Sequence, residues 1–565
     1  KVFTSLLAGR IAAWADAIGL LPESHAGFRR GRSCVDNLFI LSSVIGSRLR
    51  LKGGKLYSFF VDFRQAFDRV HHGSLFEKLH SFGLSAKVIN VLGIFYNEAS
   101  TVVKINGNYS ESIHIYNGVL QGDSLSPLLF ALYISDLENF MRLDGFNGVD
   151  LDNRGNNVIG ILYADDLVLL SDREAGLQIG MNALAKYCRM NFLEVNPAKS
   201  KVVVFRRGGV LRRGIRFVLG DVRIEIVSQY NYLGVVFSSS GCFAEASEHL
   251  VAKADFAAVG IRSLLVQSDC DSQVSRSLLF KSAVQSVLLY GAEVWALRYE
   301  NIVERVQLRF VKMLYGLPRS TPNYVIRLEF GLSALIVDIL DRALRWIVRL
   351  EGMEEDRLPR ICYLRQLELL EHASVNFNWL KQIEGLFTRA GCGDQWEVIR
   401  EGRLSLCSVT VLDDLRSVLA QEDRARAASS NFCPLYRVFL GSEALQMSAE
   451  PMPLRLSRLW HQVRVQNARY NRIYWNGFTH TFDASAICQL CNYKGPDSLE
   501  HFILDCTVLQ DFRRKFGMYR IMGSGVDSGV CSLSGLAACT SSADAYLFLR
   551  FLRAILGARR FVLSV

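Results

Sequence analysis

Two adjacent carboxylates inside an apolar run are the feature of this sequence that is hardest to accommodate: Ile161-Leu-Tyr-Ala-Asp-Asp-Leu-Val-Leu-Leu170. Apolar runs this short predict two buried strands joined by a tight turn, with Asp165 and Asp166 carried at its tip. Two acids held together at the end of an apolar hairpin repel each other and resist desolvation, which raises at least one pKa unless a cation is present. A divalent metal with hard oxygen ligands resolves the conflict. An Asp-Asp pair is also common in turns that bind nothing, so the surrounding sequence has to decide.

A second buried strand is predicted at Leu56-Tyr-Ser-Phe-Phe-Val-Asp-Phe63, and it too ends in an acid, Asp62. A helical segment is expected after it, with Ala66, Phe67 and Val70 on one face. Asp62 reads either as a helix cap or as a third carboxylate. Two divalent ions about 3.5–4 Å apart need acidic ligands shared from different strands, as in the phosphoryl-transfer sites of polymerases. Between the acids lies Gly118-Val-Leu-Gln-Gly-Asp-Ser-Leu-Ser-Pro127, a glycine-rich turn opening a helix, where backbone and Gln121 can approach a ligand closely. Upstream, Glu23-Ser-His-Ala-Gly-Phe-Arg-Arg-Gly-Arg-Ser33 sets Arg29, Arg30 and Arg32 beside glycines. That combination suits phosphate oxygens, or simply a basic surface loop. The 65 basic and 55 acidic residues give a net charge of +10, which favours a polyanionic partner. No apolar run approaches the roughly 20 residues of a membrane span.

Further along, Ser171-Asp-Arg-Glu174 reads as a capping box, and Leu177, Met181, Leu184 and Cys188 follow at helical spacing. A basic turn, Leu193-Glu-Val-Asn-Pro-Ala-Lys-Ser-Lys201, leads into a strand. A hairpin follows over 215–226, and Tyr230–Phe237 reads as one more short strand. From 245 to 345 the pattern is helical. Arg455–Arg464 and Asn467–Trp475 mix cations with aromatics, which suits single-stranded nucleic acid or a packed amphipathic helix. Most of the 13 cysteines are scattered, as in a reduced intracellular protein. The exception is Cys488-x2-Cys491-x9-His501-x4-Cys506, four soft donors at spacings that suit a tetrahedral structural zinc. A last apolar-basic helix is expected over 542–565. Residue 1 already lies in a helical pattern and is not methionine, so an excised region of a longer protein is expected.

In order, the segments AGFRRGRS (26–33), FVDFRQAFDRV (60–70), GVLQGDSLSP (118–127), YADD (163–166), LEVNPAKSK (193–201) and YNYLGVVF (230–237) resemble the reverse transcriptases of non-LTR (LINE-type) retrotransposons. The resemblance implies an α+β right-hand polymerase: fingers and palm with an antiparallel sheet over 1–245 and a helical thumb over 246–345. It continues with a helical linker region over 346–480, a CCHC zinc knuckle over 481–515 and a helical tail over 516–565. It implies that Asp62, Asp165 and Asp166 hold two Mg²⁺ ions and that Phe63 offers a backbone carbonyl. Phe67 would exclude a ribose 2′-hydroxyl, and Gln121 and Gly122 would lie beneath the incoming nucleotide. Arg29 and Arg32 would contact template or triphosphate, and Lys199 would protonate pyrophosphate, with solvated surface charge as the alternative for these three. Tyr230–Phe237 would grip the primer, and Cys488, Cys491, His501 and Cys506 would hold Zn²⁺. Template RNA, a DNA primer or nicked target DNA, and dNTPs follow as partners, without a membrane, and with the nucleus as the place of action. A copying but not cutting chain is expected, with a catalytically dead nucleic-acid-binding remnant as the alternative. Three positions depart from the family pattern: His25 for Gln, Leu120 for Arg and Ser124 for Pro.

Overall fold

The computed structural model describes residues 1–372, 374–404, 410–433, 436, 440, 451–491, 495–519 and 542–563. Its organising element is a five-stranded sheet of β1 (Lys55–Val61), β2 (Gly160–Tyr163), β3 (Asp166–Ser171), β4 (Lys201–Arg206) and β5 (Ile226–Val227), in the order β5-β4-β1-β3-β2. All pairs are antiparallel except β4–β5. The central strand explains its own sequence. Leu56 and Phe60 enter one core, and Tyr57, Phe59 and Val61 enter another on the opposite face. A strand covered on both sides must be apolar at nearly every position, so β1 reads as a continuous run.

The two cores have different owners. One face packs against the helices α1 (Val2–Ala17), α3 (Ser126–Tyr133) and α4 (Glu174–Met190). The other packs against α2 (Cys34–Leu49) and continues without a break into the helical region beyond residue 243. There α5 (Ala244–Gln267) packs on α6 (Glu300–Tyr315), followed by α7 (Asn323–Phe330) and α8 (Leu335–Glu351). Helix α8 buries Leu335, Ile336, Ile339, Leu340, Ala343 and Ile347 at helical spacing. Residue 345, expected to end the thumb, falls within this helix, so the packed unit runs past that boundary. No helix among the described residues is long and apolar enough to cross a membrane.

Some local expectations do not hold. Residues 64–69 form a turn, not a helix. Gln65 takes a left-handed φ of 52°, and the carbonyls of Phe67 and Val70 accept from Val119 and Gly118 in place of helical partners. Ser171 forms no capping box: helix α4 starts after Arg173, and the Ser171 hydroxyl exchanges hydrogen bonds with the Arg173 backbone. Tyr230–Phe237 is a hairpin of two strands, β6 (Gln229–Tyr232) and β7 (Val235–Ser238), turning at Leu233 and Gly234. Arg455–Arg464 lies in helix α9 (Leu454–Arg464), which is buried along most of its length, so here the packed-helix alternative prevails. The 346–480 region is not wholly helical, because β8 (Tyr470–Trp475) and β9 (Phe478–Ile487) form a hairpin across its end. After it come α10 (Leu499–Leu504), α11 (Gln510–Lys515) and α12 (Ser542–Leu563). The last two residues of the expected final helix lie outside the described residues.

A buried ionic knot joins α7 to α9. Glu329 on α7 accepts from Arg464 Nε at 2.7 Å and sits 2.7 Å from His461 Nδ1, both on α9, with all three side chains buried. Burial alone would raise the Glu329 carboxyl, but the Arg464 charge and the His461 contact outweigh it and hold the pKa at about 2. Removing one member leaves the other charge buried without compensation. Glu329→Ala should therefore lose about 3–5 kcal/mol in urea unfolding. Glu329→Leu combined with Arg464→Met should recover most of that loss.

Candidate active site

The three carboxylates converge at one end of the sheet for reasons of register. Strands β1 and β3 pair with Val61 opposite Leu167, so the next step of the ladder sets Asp62 opposite Asp166. Strands β2 and β3 form a hairpin in which Tyr163 faces Asp166, leaving Ala164 and Asp165 as the two turn residues. Ala164 has φ +58°, the sign required at the first position of a II′ turn, where glycine is usual. A non-glycine residue in that region stores strain, and such strain gathers at functional sites. Burial and the Asp62 charge raise the pKa of Asp165. Burial, then the charges of Asp165 and Asp62, push Asp166 up to about 6. The trio is thus an electrostatically unfavourable arrangement that a cation relieves. Hard oxygen donors from two strands fit a pair of divalent ions.

Neighbouring motifs act as a frame around these acids. The backbone of Ser24–Ala26 runs along β2, with Ala26 N–H donating to Leu162 O at 2.9 Å and Leu162 N–H to Ser24 O at 2.8 Å. This brings Gly27 against the acidic turn: a Cβ there would lie 2.2 Å from Ala164 N. The glycine of the first motif is therefore required by the turn that carries the acids. Asp62 is clamped from the other side, its N–H donating to Ser200 Oγ at 3.0 Å and its carbonyl accepting from Asn196 N–H at 2.8 Å. Phe63 bridges to Val195 in the same loop. Ser200 and Asn196 went unrecognised in the sequence, because only the lysines of that loop suggested chemistry. Lys199 stands exposed between Ala198 and Ser200.

The glycine-rich loop reaches the same region from below. Gln121 Nε2 donates to Asp68 Oδ1 at 2.9 Å, and Phe67 packs on Phe130 with ring centroids 4.8 Å apart. Phe67, Gln121 and Gly122 share the lining of one open cavity of about 530 Å³, together with Asp123, Ser124 and Pro127. Tyr230 stacks on Phe60 at 4.5 Å, and its hydroxyl pKa is raised by burial and then by the charges of Asp166 and Asp62, which places the β6–β7 hairpin beside the acids.

The arginines of the first motif are engaged within the fold. Arg29 donates to the carbonyls of Leu21, Pro22 and His25, and Arg32 pairs with Glu23. Arg357 spans Glu23 and the buried Asp36, and Arg349 also reaches Asp36, so this loop is tied to helices far along the chain. Arg30 is the exposed member of the set. His25 is fully buried with neither ring nitrogen partnered, and burial followed by the charges of Arg29 and Arg32 pushes its pKa down to about 3. It is a neutral packing element beside the acidic strand.

A second constellation lies at the other end of the molecule. The ligand atoms of Cys488, Cys491, His501 and Cys506 all fall within 4.8 Å of one another. His501 Nε2 lies 3.4 Å from Cys491 Sγ. Arg513 on α11 donates to the carbonyls of Ile503 and Cys506 and so fixes the returning segment. At Gly495 a Cβ would stand 2.4 Å from His501 Nδ1, so only glycine lets the loop cross the imidazole.

The site is thus a sheet end carrying three carboxylates, with Ser24–Ala26 bonded along its edge strand and the 195–200 loop holding Asp62. Residues 1–237 match the family described as "Reverse transcriptase (RNA-dependent DNA polymerase)". Over 382 residues the chain is 26% identical to "Probable RNA-directed DNA polymerase from transposon BS" of Drosophila melanogaster, covering 66% of this chain and 41% of the relative. It is 32% identical over 253 residues to "Retrovirus-related Pol polyprotein from type-1 retrotransposable element R2" of Nasonia vitripennis, covering 42% and 23%. It is 24% identical over 322 residues to "RNA-directed DNA polymerase from mobile element jockey" of Drosophila funebris, covering 56% and 34%. Residues 1–237 are thus similar to the reverse transcriptase family, and the chain is similar to the RNA-directed DNA polymerases and Pol polyproteins of these transposable elements. It spans 41% of the length of the first of these relatives.

The raised carboxyl at Asp166 carries a linkage consequence. Its folded pKa of about 6 lies above the ordinary 3.8, so the ionised form is disfavoured by the fold. That penalty is absent below about 3.8, grows as pH rises towards 6 and is constant above it. In chelator-treated protein, Asp166→Asn should therefore melt at the same temperature as wild type near pH 4. It should melt progressively higher up to pH 6, with a constant gap beyond.

Proposed function

We propose that this chain is an RNA-directed DNA polymerase that copies a retrotransposon RNA into cDNA, extending a DNA 3′ end of the kind exposed at nicked target DNA in the nucleus. The observation that carries this reading is the convergence of Asp62, Asp165 and Asp166 at the end of the sheet, each supplied by its strand register. These three would hold two Mg²⁺ ions, which when bound lower the pKa of a primer 3′-hydroxyl and neutralise the triphosphate. The chain's own part is positional. Ser200 and Asn196 hold the Asp62 backbone, and Gly27 supports the Ala164–Asp165 turn. The open cavity beside Gln121 and Gly122 has room for a nucleotide, and Phe67 in its wall is where a ribose 2′-hydroxyl would collide. Phe63 would lend its carbonyl, and Tyr230 with its hairpin would seat the primer end. Lys199, exposed and one residue from the Asp62 clamp, would donate a proton to departing pyrophosphate. Arg29 and Arg32 would act by holding the fingers loop over template or triphosphate.

Primer extension on an RNA template with dNTPs and Mg²⁺ tests this. Wild type should extend, Asp165→Asn should be reduced at least a hundredfold, and Phe67→Ala should gain ribonucleotide incorporation while keeping dNTP incorporation. Activity that survives Asp165→Asn would place the chemistry elsewhere.

We also propose that Cys488, Cys491, His501 and Cys506 hold a structural Zn²⁺, supported by three sulfurs and one imidazole within tetrahedral reach. With four protein donors no position is left for substrate, so the ion would shape a module that grips nucleic acid. Metal analysis should find about one zinc per chain. Gly495→Ala, which forces its Cβ into the His501 ring, should lower that content and the thermal stability together.

A further inference from the structure

The stretch Asn467–Trp475, rich in cations and aromatics, enters strand β8 at Tyr470, and strand geometry sorts the side chains from there by face. Ile473 points inward, while Tyr470, Arg472 and Tyr474 stand in a row on the outer face, with Tyr470 41% and Tyr474 60% exposed. Across the ladder Arg472 and Tyr474 face Thr481 and Thr479, small polar residues that leave the row uncovered. The arginine lies over the Tyr470 ring at 5.3 Å and donates from Nε to the Tyr470 hydroxyl at 2.9 Å, so the two side chains are held together. Among the described residues Arg472 has no carboxylate partner. Asp483, opposite Tyr470, is occupied by the Ser485 hydroxyl and N–H.

Beside this row opens a cavity of about 410 Å³, walled on one side by the Pro318–Thr321 loop that follows α6 and on the other by Gln462 and β8, including Tyr470 and Arg472. Gln462 donates from Nε2 to the carbonyls of Tyr315 and Gly316, which fixes it in the wall. Aromatic rings and a guanidinium without a carboxylate partner beside a hollow of this size suit a single-stranded polynucleotide: stacking for bases, charge for phosphate.

We propose that the outer face of β8 and the adjoining cavity bind single-stranded nucleic acid, with Tyr470 and Arg472 stacking an unpaired base and the cavity receiving a neighbouring one. This site lies in the carboxyl-terminal region on residues distinct from those of the polymerase centre. It rests on the reading of the chain as a nucleic-acid enzyme only for its purpose, since binding is measured without catalysis.

Fluorescence anisotropy of the full chain with labelled twelve-nucleotide RNA and DNA oligomers of the same mixed sequence, without divalent ions, tests the proposal. Tyr470→Ala and Arg472→Ala should each weaken binding about tenfold, as expected for loss of one stacked base. Greater loss on the RNA oligomer would identify RNA as the occupant, and greater loss on the DNA oligomer would identify displaced target strand. Unchanged affinity for both oligomers in Tyr470→Ala and Arg472→Ala, with normal melting temperatures, would overturn the proposal while leaving the polymerase reading to its own primer-extension assay.

Discussion

The mutual repulsion of three carboxylates at one sheet end is the constraint around which the rest of the molecule is arranged. An Asp166 carboxyl pushed up to about 6 is unfavourable for folding by itself, and it persists because the surrounding structure overdetermines it. The Asp62 backbone is fixed by Ser200 and Asn196, the Asp165 turn is fixed by the β2–β3 ladder, and Gly27 closes over Ala164. None of these contacts touches a carboxylate oxygen. They are backbone contacts, and they leave the side chains free to meet a ligand while denying them the freedom to separate.

That division also explains which parts of the site were legible in the sequence. The acids themselves stood out because apolar strands make a charge conspicuous, and strand register then accounts for their convergence. The clamps did not stand out. Ser200 lies between two lysines, and nothing in its chemistry distinguishes it from any loop serine until the Asp62 N–H is seen beside it. The turn at 64–69 was misread as a helix because Ala66, Phe67 and Val70 have helical spacing, whereas Gln65 adopts a left-handed conformation that no local pattern announces. The cationic stretch at 455–464 was ambiguous for a related reason: Arg464 is a charge buried inside the fold, paired with Glu329, a residue 135 positions away.

The convergence of Cys488, Cys491, His501 and Cys506 was the easiest feature to anticipate, since four soft donors in nineteen residues constrain their own spacing. Its supports, however, again come from outside the motif. Arg513 ties off the carbonyls of Ile503 and Cys506, and Arg559 on the final helix pairs with the buried Asp497 at 2.8 Å. The last helix therefore acts as a brace for the cluster, which its apolar-basic pattern alone did not indicate.

The pairing of Arg357 with Glu23 and Asp36 bears on how this molecule can be divided. Every polymerase motif lies before residue 238, which invites excision of that segment as a minimal enzyme. Such a piece would carry Asp36, 2% exposed in the intact chain, without Arg349 or Arg357. It would also leave the far side of α2 against water, where Phe39 packs edge-on against Trp346 and Trp379 in the intact chain. The catalytic motifs are contiguous in sequence, but the body that makes them rigid is not. The smallest autonomous unit of this protein extends well into its helical half.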